Sequence, residues 1–198
     1  MVYLISRVFC RFVLFVIRRM EIHGKDNMPD EGGVVIASNH TSMWDPVIIG
    51  SAFDRWVSFM AKEELYKINP LFSWLIRHMQ TFPVKRGQMD RGALKFALNH
   101  LKTGHIIGLF PEGTRSKSGD LQDARNGAAM LAIKAGVPVL PVGIIGSKGW
   151  GKVVVKVGKP INIDKFFEDK VNKELLNEFS KSFMAEIEKL LQTTNEPL

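Results

Sequence analysis

The sequence predicts an α/β fold in which helices flank a layered, mostly parallel central sheet. Short apolar runs rich in β-branched residues alternate with segments of helical periodicity along most of the chain, an order typical of parallel sheets. Polar residues follow several of these runs directly, and ligands bind beyond the carboxyl ends of strands in folds of this class. The chain has 198 residues, of which 45% are hydrophobic and 24% charged, so it can form one well-packed domain.

The first twenty residues, MVYLISRVFCRFVLFVIRRM, are predicted to form a helix that lies on a membrane surface. On such a helix Arg7, Arg11 and Arg18 fall within a stripe roughly 40° wide, and most of the remaining circumference is apolar. A helix of about 17 residues reaches only about 25 Å, which is less than the hydrocarbon core of about 30 Å. We therefore expect residues 1–20 to lie among lipid headgroups and residues 21–198 to form the folded domain.

Two alternatives for this leading segment stay open. A cleaved signal peptide is the first, although its arginines would then lie inside the apolar region and no small-x-small cleavage site follows. The second is a helix that packs on the core of the protein itself.

The remaining elements are predicted from their periodicity. Strands are expected at 34–38, 56–60, 81–84, 105–110, 137–145 and 152–157, and helices near 46–53, 70–79, 90–103 and 126–135. The tail from Asp164 to Gln192 is expected to form one or two amphipathic helices. Its apolar residues recur every four positions, at Val171, Leu175, Phe179, Phe183 and Ile187. This stripe is expected to pack on the sheet, with a partner-binding face as the alternative.

The formal charge of +7 indicates an anionic partner, either a nucleic acid or an acidic membrane surface. A nucleic-acid module is disfavoured because no recognition motif of that class is found. The single cysteine, Cys10, excludes an internal disulfide and a cysteine-based zinc cluster. HExxH and the GxxxxGK[ST] loop are also missing, so neither a metal site nor nucleotide hydrolysis is expected.

The run VVIASNHTSMWDP carries the first candidate for chemistry. His40 follows a predicted buried strand, and Asp45 precedes Pro46 at the start of a predicted helix, where it is expected to act as the N-cap. A neutral imidazole can take a proton from an alcohol, and a neighbouring carboxylate fixes its tautomer. The alternative is that Asp45 only caps the helix and His40 is an ordinary loop residue.

Two further segments place cations after predicted strands. In HIIGLFPEGTRSKSG, Pro111 and Gly113 favour a turn, and Arg115 at its tip could bind a phosphate through its forked guanidinium. In TFPVKRG, Lys85 and Arg86 follow the strand. Each cluster could also be a solvated surface, but together they favour an anion site.

These segments resemble the glycerol-phosphate and lysophosphatidic acid acyltransferase family. NHTSMWD matches its His-x4-Asp motif, and FPEGTRS matches its phosphate-binding motif almost letter for letter. TFPVKRG resembles the arginine-bearing motif between them, and VPVLPV resembles the fourth block, so all four occur in family order between Asn39 and Val142. The resemblance implies the glycerol-3-phosphate acyltransferase-like fold, a central sheet flanked by helices, for residues 21–198.

The resemblance also implies the reaction. An acyl group would pass from acyl-CoA or acyl carrier protein to the sn-2 hydroxyl of lysophosphatidic acid, with His40 as general base, Asp45 as its orienting partner, and no cofactor or metal. Pro138 and Val139 would line the acyl region. Glycerol-3-phosphate or another lysolipid is the alternative acceptor, and a non-catalytic lipid-binding protein is the alternative function.

The acceptor site implied by the resemblance lies in the other two motifs. Arg86, Glu112 and Arg115 would hold the glycerol-phosphate group, while Gly113 and Thr114 would shape the turn. The enzyme would then work as a peripheral or monotopic protein on the cytosolic face of the cytoplasmic membrane, where its lysophospholipid acceptor lies. We expect the arginines of the leading helix to assist by binding anionic headgroups.

Overall fold

The computed structural model describes residues 8–70, 73, 76, 81–84, 90–164 and 171–192. Its strands are β1 (Glu21–His23), β2 (Val34–Ser38), β3 (Val57–Lys62), β4 (Thr81–Val84), β5 (Ile106–Leu109), β6 (Val139–Ile145) and β7 (Val154–Val157). Its α-helices are α1 (Asp45–Ala52), α2 (Arg91–Lys102), α3 (Gly127–Ala135) and α4 (Lys173–Gln192). A leading helix spans residues 8–17, and short 3-10 helices lie at Lys25–Asn27 and Glu63–Lys67.

The strands form one seven-stranded sheet in the order β1-β7-β6-β2-β5-β3-β4. All neighbouring strands pair in parallel except β6 and β7, which are antiparallel. The predicted layered and mostly parallel α/β fold is therefore confirmed. The predicted helix at 70–79 lies largely outside the described residues. β1 was not predicted, because three residues are too few to show a periodicity.

Alternate residues of the central strands supply two separate cores. Val35 and Ala37 of β2 point to the face covered by α2, α3 and α4. Val34 and Ile36 point to the opposite face, which α1 and the leading helix cover. Burial on both faces explains why β2 reads as a continuous apolar run.

The C-terminal stripe packs on the sheet, as predicted. Leu175, Phe179, Phe183 and Ile187 are buried in the same cluster as the sheet residues of that face. Val171 lies before the first residue of α4 and is exposed. One long helix thus accounts for the described part of the tail after Asn172.

The leading helix contacts the protein through residues that were expected to face lipid headgroups. Arg18 is buried, and its guanidinium donates to the carbonyl oxygens of Gly151 and Gly146, each at 2.8 Å. Arg11 forms an ion pair with Asp54 at 3.0 Å. The expectation that Arg18 binds headgroups is therefore wrong, because its buried guanidinium is engaged by the protein itself. For Arg11, whose ion pair lies at the surface, headgroup binding stays a prediction, and Arg7 lies outside the described residues.

The opposite side of the same helix is apolar and exposed. Among the described residues of this helix, Leu14 is the one apolar side chain that is fully buried. It packs with Met20 in the core on the α1 side of the sheet. Val8, Phe9, Phe12, Phe15, Val16 and Ile17 are exposed. Within the described part of the chain, no helix combines the length and apolar character needed to cross a membrane.

Three loops meet at one edge of the sheet. β2 lies between β5 and β6 and pairs in parallel with both, with Ala37 opposite Leu109 and Ser38 opposite Val142. The carboxyl ends of these strands therefore point the same way. Residues 39–44, 110–126 and 146–153 leave the sheet at this edge, and the first two carry the predicted chemical residues.

Candidate active site

His40 and Asp45 meet as a hydrogen-bonded pair. His40 Nδ1 lies 2.8 Å from Asp45 Oδ2, across a loop that turns back into α1. Oδ2 also accepts the backbone N–H groups of Thr41 and Ser42, each at 2.7 Å. Because two backbone amides donate to Oδ2, this oxygen acts as an acceptor. The imidazole tautomer that fits it has the ring proton on Nδ1 and a lone pair on Nε2.

Asp45 is a residue of α1 that binds the preceding loop, and it is not the N-cap of the helix. It is the first residue of α1 and is 0% exposed, while Trp44 occupies the N-cap position and makes no capping bond through its side chain. The predicted N-cap is wrong by one residue, because the carboxylate points back to the amides of the preceding loop. Oδ1 has no hydrogen-bond partner among the described residues, so Oδ2 alone holds the loop.

An aromatic stack fixes the plane of the imidazole. The rings of His40 and Phe110 are stacked with centroids 4.0 Å apart, and Phe59 stacks on Phe110 at 6.2 Å. Gly108 leaves room for this arrangement, because a Cβ there would overlap the ring of Phe59. The stack restricts rotation of His40 about its side-chain bonds, so the proton-accepting atom keeps one direction.

The turn after β5 holds the backbone of His40 on both sides. The N–H of His40 donates to Glu112 Oε1 at 2.7 Å, and its carbonyl accepts the N–H of Ser116 at 2.8 Å. A second oxygen of the same carboxylate, Oε2, accepts from the N–H of Gln122 at 3.2 Å. The two segments that the sequence singled out, 72 residues apart, are thus one structural unit.

Glu112 is 4% exposed, and burial raises the pKa of its carboxyl, although the backbone hydrogen bonds from His40 and Gln122 oppose this shift. Both oxygens are already engaged by backbone amides. This geometry suits a residue that positions His40, in contrast to the direct acceptor contact that the resemblance implies.

The tip of the turn is exposed. Gly113 has a positive φ of 74°, and its N–H closes the turn onto the carbonyl of Phe110 at 3.0 Å. A Cβ at Gly113 would also meet the side chain of Arg125. Thr114 and Arg115 are exposed at the tip.

Two further predicted contributors are Arg86 and Val139. Arg86 lies outside the described residues; β4, the strand before it, runs parallel to β3. Val139 is fully buried opposite Val35, at the amino end of β6. Its side chain therefore belongs to the core and lies away from the edge that carries His40.

Several site residues were missed. The amide of Asn39 binds both backbone groups of Ile144, with distances of 2.9 and 2.8 Å, and so joins the end of β2 to β6. The hydroxyls of Thr41 and Ser147 lie 2.8 Å apart and join the His40 loop to the loop after β6. The glycines in GSKGWG were a usable signal, because a glycine-rich loop after a buried strand is a common place for a ligand.

No cluster of three or more His, Cys, Asp or Glu side chains suited to a metal is found in the described ranges. The described site residues bring together an imidazole, its carboxylate partner and an exposed guanidinium. This set can deprotonate a hydroxyl and bind an anion close by.

Comparison with known proteins places the chain in a family. The family described as Acyltransferase matches residues 19–145. The chain is 30% identical over 152 residues to the 1-acyl-sn-glycerol-3-phosphate acyltransferase of Pseudomonas aeruginosa, a match that covers 73% of this chain and 58% of that protein. It is 32% identical over 184 residues to the enzyme of the same name from Streptococcus pneumoniae, covering 88% and 67% respectively.

A solved structure agrees with this assignment. The crystal structure of the 1-acyl-sn-glycerophosphate (LPA) acyltransferase from Thermotoga maritima superposes with a TM-score of 0.70 at 27% identity, covering 98% of this chain and 89% of that one. Residues 19–145 include the His40–Asp45 pair, the turn that follows β5, and the whole of strand β6. The chain therefore belongs to the acyltransferase family, together with the 1-acyl-sn-glycerol-3-phosphate acyltransferases that it resembles.

Proposed function

We propose that the protein transfers a fatty acyl group from a thioester donor, acyl-CoA or acyl carrier protein, to the sn-2 hydroxyl of lysophosphatidic acid. The product is phosphatidic acid for phospholipid synthesis. The single observation that carries this proposal is the His40–Asp45 pair at 2.8 Å, held by the turn that presents Arg115. The names of the relatives support the choice of acceptor.

The proposed reaction proceeds in one direct transfer. His40 Nε2 takes the proton of the acceptor hydroxyl as the oxygen attacks the thioester carbonyl, and Asp45 stabilises the resulting imidazolium. The new C–O bond forms, the C–S bond breaks, and the leaving thiolate receives the proton from His40. A covalent acyl-enzyme is unnecessary, since the only cysteine, Cys10, lies in the leading helix.

The acceptor phosphate requires cations near this hydroxyl. Arg115 is exposed at the tip of a turn whose neighbouring residues bind the backbone of His40. A guanidinium can bind two phosphate oxygens at once, which fixes the orientation of the glycerol as well as its position. Arg86 is proposed as a second contact from the segment after β4.

We also propose that residues 1–20 bind the enzyme to a membrane, on the cytosolic face, as a peripheral or monotopic protein. The basis for this proposal is the apolar side of the leading helix. Phe9 is 67% exposed there, and an exposed row of large apolar side chains marks a lipid or protein contact. Because Arg11 and Arg18 are engaged by the protein, apolar burial in lipid is the main attraction we expect from this helix.

The transfer is tested with purified protein in vesicles that contain lysophosphatidic acid and radiolabelled acyl-CoA or acyl carrier protein. We expect labelled phosphatidic acid, and we expect His40→Ala to lower turnover about a hundred- to ten-thousand-fold while the circular dichroism spectrum is retained. Glycerol-3-phosphate and lysophosphatidylcholine serve as competing acceptors. Binding of lipid without transfer to any acceptor, or near-normal turnover by His40→Ala, would contradict the proposal.

A further inference from the structure

A pocket opens beside the catalytic loop, on the side where the loop after β6 approaches it. It encloses about 370 Å³. Its walls are residues 41–44 of the loop that follows His40, Arg115 from the turn, residues 148–150, and Arg18 from the end of the leading helix. The pocket is therefore shared by the catalytic loop, the anion-binding turn and a loop to which neither motif assigns a role.

The described lining of this pocket is positively charged. It contains Arg18, Arg115 and Lys148 and no carboxylate. The guanidinium of Arg18 binds two carbonyls, and Lys148 Nζ donates to the carbonyl of Lys117 at 2.9 Å. Within the described residues neither Arg115 nor Lys148 forms an ion pair with a carboxylate, in contrast to Arg11 or Lys25. Three cations without a counter-charge favour an anionic ligand.

The loop that carries Lys148 is held in place from two directions. Arg18 binds the carbonyls of Gly146 and Gly151 and so fixes both ends of the loop. Ser147 binds Thr41, the residue next to His40, at 2.8 Å. Gly146 has a positive φ of 73°, and a Cβ there would overlap the carbonyl of Lys152. A loop fixed in this way presents Lys148 without a large ordering cost on binding.

Two tryptophans border the same cations. Trp44 precedes Asp45 in the catalytic loop, and Trp150, which is 77% exposed, follows Lys148 by two residues. An indole ring is suited to the boundary between lipid headgroups and acyl chains. The combination of cations with exposed indoles fits a phosphate that is attached to a lipid better than it fits a free nucleotide or sugar phosphate.

We propose that Lys148 is a second cation for the phosphate monoester of the lysophospholipid acceptor, which it binds together with Arg115 in this pocket. The proposal rests on the proposed function, which supplies the acceptor. Lys148 contributes a compact point charge, and Arg115 contributes the planar fork, so the two can bind different oxygens of one phosphate. The pocket adjoins His40 through Thr41 and Ser42, which places the acceptor phosphate near the general base.

The test compares Lys148→Met with Lys148→Arg and with the matched control Lys134→Met, which removes one exposed lysine from α3. Acyl transfer is measured against lysophosphatidic acid in neutral phosphatidylcholine vesicles. We expect Lys148→Met to raise KM for lysophosphatidic acid about tenfold and to leave kcat nearly unchanged, because the acceptor would bind about tenfold more weakly. Lys148→Arg should restore most of the loss, and Lys134→Met should match the wild type.

Two further arms separate the possible causes. With monoacylglycerol, which lacks the phosphate, wild type and Lys148→Met should behave alike, whereas a general loss of membrane attachment would affect both acceptors. Equilibrium dialysis of a short-chain lysophosphatidic acid should show a Kd about tenfold weaker for Lys148→Met. An unchanged KM and Kd, or an equal effect of Lys134→Met, would overturn the assignment. If the wild type binds this lipid but transfers nothing to it, the proposed function fails while the dialysis still decides the role of Lys148.

Discussion

At the scale of single residues, His40 is held by contacts from three directions. Asp45 binds its ring at Nδ1, Phe110 stacks on its face, and the turn at 112–116 binds both of its backbone polar groups. Together these contacts restrict the position and the orientation of the imidazole before a substrate binds. Such preorganisation matters because a general base must lie within hydrogen-bond reach of the proton that it takes.

Glu112→Gln tests the positioning role at this scale. The amide can accept from only one of the two backbone N–H groups that the carboxylate binds, so its NH₂ group would face the other. We expect kcat to fall about ten- to a hundredfold, because a charge-assisted hydrogen bond is worth about 1.5–3 kcal/mol. KM for the acceptor should change little, and steady-state kinetics over a range of acceptor concentrations separates the two constants.

The control for this variant is Glu174→Gln, which makes the same change at an exposed position of α4. A large rise in KM with kcat retained would indicate that Glu112 contacts the acceptor directly, as the resemblance implies. That result would remove the positioning role.

At the scale of elements, the two sides of the leading helix have different surroundings. Its buried side carries Leu14 and Arg18 and completes the core and the loop after β6. Its exposed side carries the apolar residues proposed to enter lipid. Deleting the whole segment would therefore disturb the fold and the attachment together, so the exposed side must be changed alone.

The double variant Phe9→Ser/Phe12→Ser makes this change. Both rings are exposed, so the folded protein should tolerate their loss, while burial of a Phe side chain in an apolar medium is worth about 1.5–3 kcal/mol. We expect vesicle binding, measured by co-sedimentation, to weaken at least about tenfold. Phe96→Ser, at an exposed position of α2, should pellet with vesicles like the wild type. Equal pelleting of the double variant would refute attachment through this face.

α2 carries a pH-dependent contact with the sheet. His100 lies 2.9 Å from the hydroxyl of Ser58 in β3, and its ring stacks on His105. Burial lowers the pKa of His100 below its ordinary value, and the neighbouring His105 lowers it further. The folded protein therefore favours the neutral ring, so this contribution to stability is complete above the ordinary pKa of about 6.5 and is lost as the pH falls through the lowered value.

We expect the free energy of unfolding to decrease as the pH falls from 7.5 to 5.5, and to decrease less in His100→Gln. Urea denaturation followed by tryptophan fluorescence at the two pH values measures both slopes. Glutamine keeps a hydrogen-bonding group for Ser58 but does not titrate, so the difference between the slopes isolates the imidazole. Identical slopes for the two proteins would show that His100 makes no such contribution.

At the scale of the whole molecule, α4 closes one face of the sheet over the strands that carry the site. Phe183 is fully buried in this layer and makes an edge-to-face contact with Phe179, with centroids 5.7 Å apart. Phe183→Ala should lower the free energy of unfolding by about 3–5 kcal/mol, the usual cost of a large cavity in a core. Urea denaturation measures this loss.

Lys181→Ala, at an exposed position two residues earlier, is the control and should change the free energy by less than about 0.5 kcal/mol. Because no described residue of the tail contacts His40 or Asp45 or lines the pocket, Phe183→Ala should still transfer acyl groups at a temperature well below its midpoint. A decrease in the free energy of unfolding of less than about 1 kcal/mol would contradict the close packing of Phe183 between α4 and the sheet.

The sequence predicted most of the architecture because periodicity reports how each segment is buried. The run at 34–37 is apolar at successive positions, and it forms most of β2, the central strand covered on both faces. The stripe from Leu175 to Ile187 recurs every four residues, and it packs on the sheet. The contact between His40 and Asp45 could also be predicted from the sequence, because one loop joins them and an imidazole and a carboxylate form hydrogen bonds readily.

The hydrogen-bond partners of the buried polar groups could be identified only from the tertiary structure. Arg18 binds a carbonyl 128 residues away, and Glu112 binds the N–H of a residue 72 positions before it. Periodicity is a local property, so it indicates that a side chain is buried without indicating what it meets. The sequence therefore predicted the fold class and the His40–Asp45 pair. The tertiary contacts show in addition that Arg18 faces inward, that Glu112 holds the loop of His40, and that Lys148 shares a pocket with Arg115.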